Sequence, residues 1–300
     1  FAVPGEISDP DAAARLLAPV LGMEVSEIRT RLRGTGARYF SWIKRKVTAR
    51  EAGRIRELNI RGIYFQKENK RFYPKRELAA HVLGYVGVDD QGLAGIELSH
   101  EQTIRGQPGQ LLIERDARQR WFRRTGRPPE PGQSVVLTLD ETIQYIAERE
   151  LGAVLEQSRA LAGTVIVLDP FTGEVLAMAS SPTFNPNRYS EVPRADVLRN
   201  RAIADSYEPG STFKIVTLAA ALEEDLTDPE ELIDCQMGSI VIAGHTIRDH
   251  KPFGLLSVSQ ILQYSSDVGA IKLAMRVGNQ RFYRYWRTFG FGSPTGIELP

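Results

Sequence analysis

One cysteine, Cys235, stands among 300 residues, so no internal disulfide can form and no cysteine cluster can hold a metal. The bland role of a lone cysteine is that of a small core residue. No apolar run approaches the ~20 residues that a membrane span needs. No signal-peptide pattern is visible, and the chain begins with Phe1. Either the protein is soluble or the sequence starts downstream of an anchor. No repeat or low-complexity tract stands out. No charge sign dominates, because the formal net charge is +1. The balance hides an asymmetry. Residues 1–130 hold 24 Lys and Arg against 16 Asp and Glu, a net of +8, while the remainder holds 14 against 21, a net of −7. A basic front part thus precedes an acidic back part, with a Pro/Gly-rich linker, "GRPPEPGQ" (126–133), near the boundary.

The front part predicts three helices. "SDPDAAARLLAPVLG" opens on a capping Ser or Asp and closes on Gly22. "SEIRTRLRG" repeats that design with Ser26 as cap and Gly34 as stop, and residues 48–60 make the third. "GIYFQKENKRFYP" reads as a hairpin, so residues 1–132 predict a small α+β module. From Gln133 the texture changes. "SVVLTLD" predicts a strand. Residues 141–159 predict a helix with Ile143, Ile146, Ala147, Leu151, Val154 and Leu155 on one stripe. "GTVIVLDPFTGEVLAMAS" is the clearest hairpin: apolar runs 164–168 and 175–179 flank a "DPFTG" turn. Both runs are apolar at consecutive positions, which predicts a sheet covered on both faces, one of them by helices. A long Pro- and Asn-rich stretch, 181–210, comes next, and loops of that length are usually functional or disordered.

Ser-x-x-Lys occurs twice. Ser41 and Lys44, in "SWIK", precede no long helix, and Lys44 begins the basic run "KRK"; chance supplies such spacings freely. Ser211 and Lys214, in "EPGSTFK", differ. Pro209-Gly210 breaks the chain just before them, and the apolar run Ile215–Leu222 lies just after. Ser211 is expected at a helix N-terminus, where unpaired N–H groups and the helix dipole favour negative charge. Lys214 lies one turn on, on the serine's face. A lysine starting a buried helix loses hydration, which lowers its pKa and lets it take a proton from a neighbouring hydroxyl. On these residues alone a second reading stands beside the first: Ser211 caps the helix and Lys214 snorkels to solvent.

His245 and His250 flank Asp249 in "GHTIRDHKPFG"; the spacing suits no common metal-ligand pattern, and an ordinary polar loop is the expectation. His81 is expected as a satisfied core histidine. "WIKRK" and "WFRRTGR" interleave aromatic and basic residues as single-strand nucleic-acid binders do. They lie far apart and precede an acidic half, so no nucleic-acid partner is expected.

"EPGSTFK", with "QYSSDVGAIKLAM" some fifty residues later (Ser265 first and Asp267 third), resembles the first two motifs of the penicillin-binding serine DD-transpeptidases. "GTVIVLDPFTGEVLAMASSPTFNPN" and "GQSVVLTLDETIQYIAERELG" resemble the opening of that family's transpeptidase domain. "RFYPKRELAAHVLGYVG" and "GLAGIELSHEQTIRGQPG" resemble the non-catalytic pedestal of its class B members; "FAVPGEISDP" and "SWIKRKV" are similar to the division-type branch, called FtsI. Elongation-type relatives share much of the pattern. The resemblance implies a dimerisation-type α+β pedestal over 1–132. It implies that 133–300 is the first part of a β-lactamase-like α/β transpeptidase domain, a sheet covered by helices that continues beyond this sequence. Lys-Thr-Gly, the family's third motif, is not present; in the family its strand lies well downstream.

The implied chemistry is cross-linking of peptidoglycan stem peptides that end in D-Ala-D-Ala. Ser211 is the nucleophile, Lys214 its base, and Ser265 a proton relay to the leaving amine. β-Lactams acylate the same serine, and neither metal nor organic cofactor is required. Asp267 occupies a position where the family usually has Asn. An ionised Asp only accepts hydrogen bonds and, beside Lys214, favours the ammonium form. Three readings are open: a tolerated variant, an enzyme of reduced activity, or a protonated Asp267. The resemblance further implies lipid-linked glycan strands as substrate, a SEDS-type membrane glycosyltransferase and division proteins as partners, and a single N-terminal anchor in the bacterial cytoplasmic membrane with the catalytic part outside. A penicillin-recognising sensor or a degenerate scaffold is the non-enzymatic alternative.

Overall fold

The computed structural model describes residues 1–33, 39–115 and 121–300. They form two compact units, residues 1–204 with 298–300, and residues 205–297.

The first unit opens on a helical core. Asp9 caps α1 (Pro10–Leu21), its Oδ1 accepting from the N–H groups of Asp11 and Ala12 at 3.0 and 2.9 Å, with Pro10 at the first helical position. Gly22 closes the helix at φ +61°, a left-handed conformation that favours glycine. α2 (Val25–Arg33) starts one residue before the expected cap Ser26, and the expected stop Gly34 lies outside the described residues. α3 (Ala49–Glu57) is shorter than expected but has a complete capping box: Thr48 accepts from the Glu51 N–H, and Glu51 accepts from the Thr48 N–H. Leu17, Ile28 and Leu32 are fully buried among these helices, each contributing about 1.5–3 kcal/mol of apolar burial.

The expected hairpin at 62–74 does not form; those residues are irregular, with a lone bridge at Ile63 to Ala2. The basic-aromatic run "WFRRTGR" is instead a strand. β1 (Gln110–Arg115) pairs antiparallel with β2 (Trp121–Arg127), with a register shift at Glu114/Arg115.

α4 (Glu141–Ser158) lies across the strongest sheet signal of the sequence, β3 (Gly163–Leu168) paired antiparallel with β4 (Val175–Ser181). In the turn between them Asp169 Oδ1 accepts from the N–H groups of Phe171 and Thr172, and Gly173 takes φ +76°. Four of the six expected stripe residues, Ile143, Ala147, Leu151 and Leu155, pack on the strands, but Ile146 and Val154 are exposed. Gln144 is buried in their place. Its amide pairs both ways with the Met178 backbone, at 2.8 and 3.0 Å, and donates to Glu148, so no polar atom is stranded. "SVVLTLD" is not a strand. Only the Thr138 hydroxyl and the Asp140 N–H reach β4, bonding the carbonyls of Val175 and Leu176, and two isolated bonds make no ladder. Coverage of β3 is one-sided: Val165 and Val167 meet α4, while Ile166 and Leu168 are exposed, because alternate strand residues face opposite ways. His81 is buried against Phe184 with Nε2 2.8 Å from the Val197 carbonyl, and burial pushes its pKa down.

In the second unit, α5 (Lys214–Glu223) buries Val216, Leu218, Ala220 and Ala221 but exposes Ile215, so it is not buried all round. Two small sheets come after it in sequence: β5 (Leu232–Asp234) pairs with β8 (Leu255–Ser257), and β6 (Ser239–Ile242) with β7 (His245–Arg248). α6 (Val258–Gln263), α7 (Asp267–Val277) and α8 (Asn279–Thr288) complete the unit. A Cβ at Gly269 would meet Ile261 at 2.6 Å, so glycine permits the close α6–α7 approach. Cys235 is fully buried in this core, and burial pushes its thiol pKa up. Among the described residues, no helix is long and apolar enough to cross a membrane.

Candidate active site

The chain turns sharply into α5. Gly210 adopts φ +57°, and residues Gly210–Phe213 form a single 3₁₀ turn that runs into the helix. Ser211 therefore sits in that turn and caps nothing through its side chain. The turn is held on one side by Phe213, whose ring meets Phe282, Trp286 and Phe291 edge-on at 5.0–6.3 Å. Such edge-to-face contacts contribute about 0.5–1.5 kcal/mol each beyond burial.

Lys214 does not reach for solvent. Its side chain is only 10% exposed. Nζ lies 2.6 Å from the Ser265 carbonyl, 2.9 Å from Ser265 Oγ and 2.7 Å from Asp267 Oδ1. An ammonium group has three protons, and here each has an acceptor. Ser265 Oγ also lies 2.8 Å from Ser211 Oγ. The amine is thus joined to Ser211 through the hydroxyl of Ser265. A hydroxyl both donates and accepts, so a proton can pass along this line in either direction. Ser211 is exposed, and Asp267 is half-exposed at 47% of its side chain. All four residues singled out from the sequence meet at one place, and the snorkelling alternative for Lys214 is corrected by these contacts.

The loop that delivers Ser265 is strained. Ser265 has φ +55°, a left-handed conformation that costs on the order of 1–2 kcal/mol for a residue with a Cβ. The start of α7 anchors the loop from its C-terminal side. Ser266, fully buried, caps α7 by accepting from the Gly269 N–H at 3.0 Å. Asp249 accepts from the Ser266 hydroxyl at 2.7 Å and from the N–H groups of Asp267 and Val268 at 2.5 and 3.1 Å. On the N-terminal side of the loop, Tyr264 stacks on Phe253 at 5.9 Å, and Phe253 meets His250 at 5.3 Å. Asp249 and Phe213 carry no local signal in the sequence. Asp249 sits 18 residues before Asp267 in a stretch that reads as an ordinary polar loop.

Two family models match the chain: the penicillin-binding protein dimerisation domain over residues 1–137 and the penicillin-binding protein transpeptidase domain over residues 163–300. The chain is 36% identical over 298 residues to a probable peptidoglycan D,D-transpeptidase, PenA, of Neisseria meningitidis, covering 97% of this chain and 51% of the relative. It is 31% identical over 305 residues to the peptidoglycan D,D-transpeptidase FtsI of Escherichia coli, covering all of this chain and 51% of FtsI. Among solved structures, penicillin-binding protein 3 of Mycobacterium tuberculosis superposes with a TM-score of 0.68 at 35% identity, over 77% of this chain and 49% of that one; it is also known in complex with aztreonam and with ampicillin. The chain spans about half the length of the relatives it matches. With both domains matched in order and the fold shared at this identity, the chain belongs to the class B penicillin-binding protein family.

Proposed function

We propose that this chain carries the nucleophile-bearing part of a peptidoglycan D,D-transpeptidase. The observation that supports it is the line Lys214 Nζ to Ser265 Oγ to Ser211 Oγ, at 2.9 and 2.8 Å, beside an exposed serine. In this reading Ser211 Oγ attacks the penultimate D-Ala carbonyl of a stem peptide. With Lys214 as the free amine, the Ser211 proton passes to Ser265 Oγ as the Ser265 proton passes on to Nζ, which becomes the ammonium. The Ser211 N–H contributes to holding the oxyanion. As the peptide C–N bond breaks, the proton returns through Ser265 to the departing D-Ala amine, leaving a peptidyl ester on Ser211. An amine of a neighbouring stem peptide then attacks the ester, forms the cross-link and frees the serine. A β-lactam opened by Ser211 leaves a slowly hydrolysed ester at the same place.

Residues 1–132 would be the pedestal and 133–300 the first part of the catalytic domain, which the two family matches support. The likeness to FtsI supports a division-type role over an elongation-type one. A membrane-anchored protein facing the periplasm or cell exterior, working with a SEDS-type glycosyltransferase, belongs to the same reading. One observation favours a second reading, a penicillin sensor or slow enzyme: an Asp267 carboxylate, at a position where the family usually has Asn, pairs with Lys214 Nζ at 2.7 Å. An assay of D-Ala release from a pentapeptide substrate, run beside acylation by a fluorescent penicillin, separates them. The enzyme does both, a sensor only acylates, and a scaffold does neither.

A further inference from the structure

Asp249 belongs to neither catalytic motif, yet both of its carboxylate oxygens bond the loop of the second one. It reaches that loop from the end of β7, and its two oxygens divide the work. Oδ2 accepts from the Ser266 hydroxyl, while Oδ1 accepts from two successive N–H groups, those of Asp267 and Val268. These N–H groups open α7 and have no partner within the helix. Hydrogen bonds to an ionised carboxylate are about twice as strong as neutral ones. Ser266 is fully buried and bonded at both ends, to Asp249 and to the Gly269 N–H. One carboxylate therefore fixes three consecutive residues, and the residue immediately before them is Ser265, in a left-handed conformation that its own side chain does not favour.

The consequence falls on the reacting line. Ser265 presents both its carbonyl and its hydroxyl to Lys214, and the hydroxyl to Ser211. If the loop relaxes to an ordinary φ, both oxygens move off the amine and the hydroxyl leaves Ser211. Asp267 would swing with them.

We propose that Asp249 is a positioning residue for the acylation of Ser211, clamping 266–268 so that Ser265 is held in its left-handed conformation between the amine and the nucleophile. The proposal rests on the reading of the site as a serine acyltransferase. It goes further in assigning part of the rate to a carboxylate that touches neither substrate nor reacting atoms.

The test uses the full chain and a fluorescent penicillin, with acylation resolved into non-covalent affinity and acylation rate, and with melting monitored on the same samples. Asp249→Ala is expected to lower the acylation rate about 100-fold, the scale of a 1 Å misplacement, with affinity changed less than threefold. Asp249→Asn keeps an acceptor for the two N–H groups and a partner for the Ser266 hydroxyl, so it is expected to recover most of that rate. Ser266→Ala, which keeps Asp249 on the backbone, is expected to fall between them. Hydrogen exchange at the amides of Asp267 and Val268 should rise in Asp249→Ala. A rate loss that merely equals the unfolded fraction of each variant, or unchanged acylation by a folded Asp249→Ala, overturns the clamp. A wild-type chain that penicillin does not acylate overturns the functional reading itself, and the clamp with it. If Asp249→Ala does not fold, Asp249→Asn and Ser266→Ala decide: rates equal to wild type in both overturn the proposal.

Discussion

The chain contains the same four-residue Ser-x-x-Lys motif twice, and the two copies come to opposite ends. Ser41 and Lys44 lie in an irregular segment of the first unit. Ser41 uses its backbone to pair with Ala2, and Lys44 Nζ donates to the Leu21 carbonyl and to Glu51 Oε1, at 2.6 and 2.7 Å. Among the described residues, Lys44 Nζ bonds no hydroxyl, and Ser41 is not joined to it. At Ser211 and Lys214 the lysine side chain is less exposed, 10% against 34%, and two serine hydroxyls stand in line with its amine. A lysine that ties a carbonyl to a carboxylate is a structural strut. One that leads through a hydroxyl to an exposed serine can do chemistry. The spacing does not separate them; the partner that a distant loop brings does.

The largest effects should fall on one copy alone. Ser211→Ala should abolish penicillin acylation, and Lys214→Ala should slow it about 10³-fold, within the range of a lost general base. Ser41→Ala and Lys44→Ala should leave the acylation rate of the folded protein as it is. Stopped-flow acylation of the four variants checks this, and equal losses in both pairs would erase the distinction. Next in size, Asp267→Asn removes the charge beside the amine and should speed acylation roughly tenfold. A rate equal to or below wild type in the same assay would mean that the carboxylate acts otherwise.

The smallest effect sharpens the strut. Burial opposes ionisation of Glu51, but hydrogen bonds from Lys44 and Thr48 outweigh it and bring the pKa to about 2, from an ordinary 4.5. A carboxyl held low in the folded state stabilises above its unfolded pKa and loses that contribution as the pH falls from 4.5 through 2. Glu51→Gln should therefore lower the melting temperature at pH 7 and narrow the gap to wild type as the pH falls from 4.5 to about 2. A gap that stays constant over that window would contradict the pairing.

Short-range chemistry decides what is legible in the sequence. The 163–181 hairpin is readable because Asp169 and Gly173 build its turn locally. The first helix is readable because Asp9 and Gly22 mark its ends. "SVVLTLD" has a strand's alternation but lacks a partner to complete a ladder, and alternation alone does not make a sheet. The β1–β2 hairpin escapes sequence reasoning because its second strand is rich in arginine and reads as a charged surface run. At the site, motif spacing points to Ser211, Lys214, Ser265 and Asp267 together. It does not point to Asp249, whose contacts close over 17 to 19 residues between the end of β7 and the start of α7, a distance no local pattern spans.

Intact mass spectrometry after penicillin treatment, with peptide mapping of any adduct, bears most directly on the central claim that Lys214, through Ser265, makes Ser211 the nucleophile. One penicilloyl adduct on the peptide containing Ser211, lost in Ser211→Ala and retained in Ser41→Ala, is the predicted result. A folded protein with no adduct, or an adduct mapped to any other residue, would contradict it.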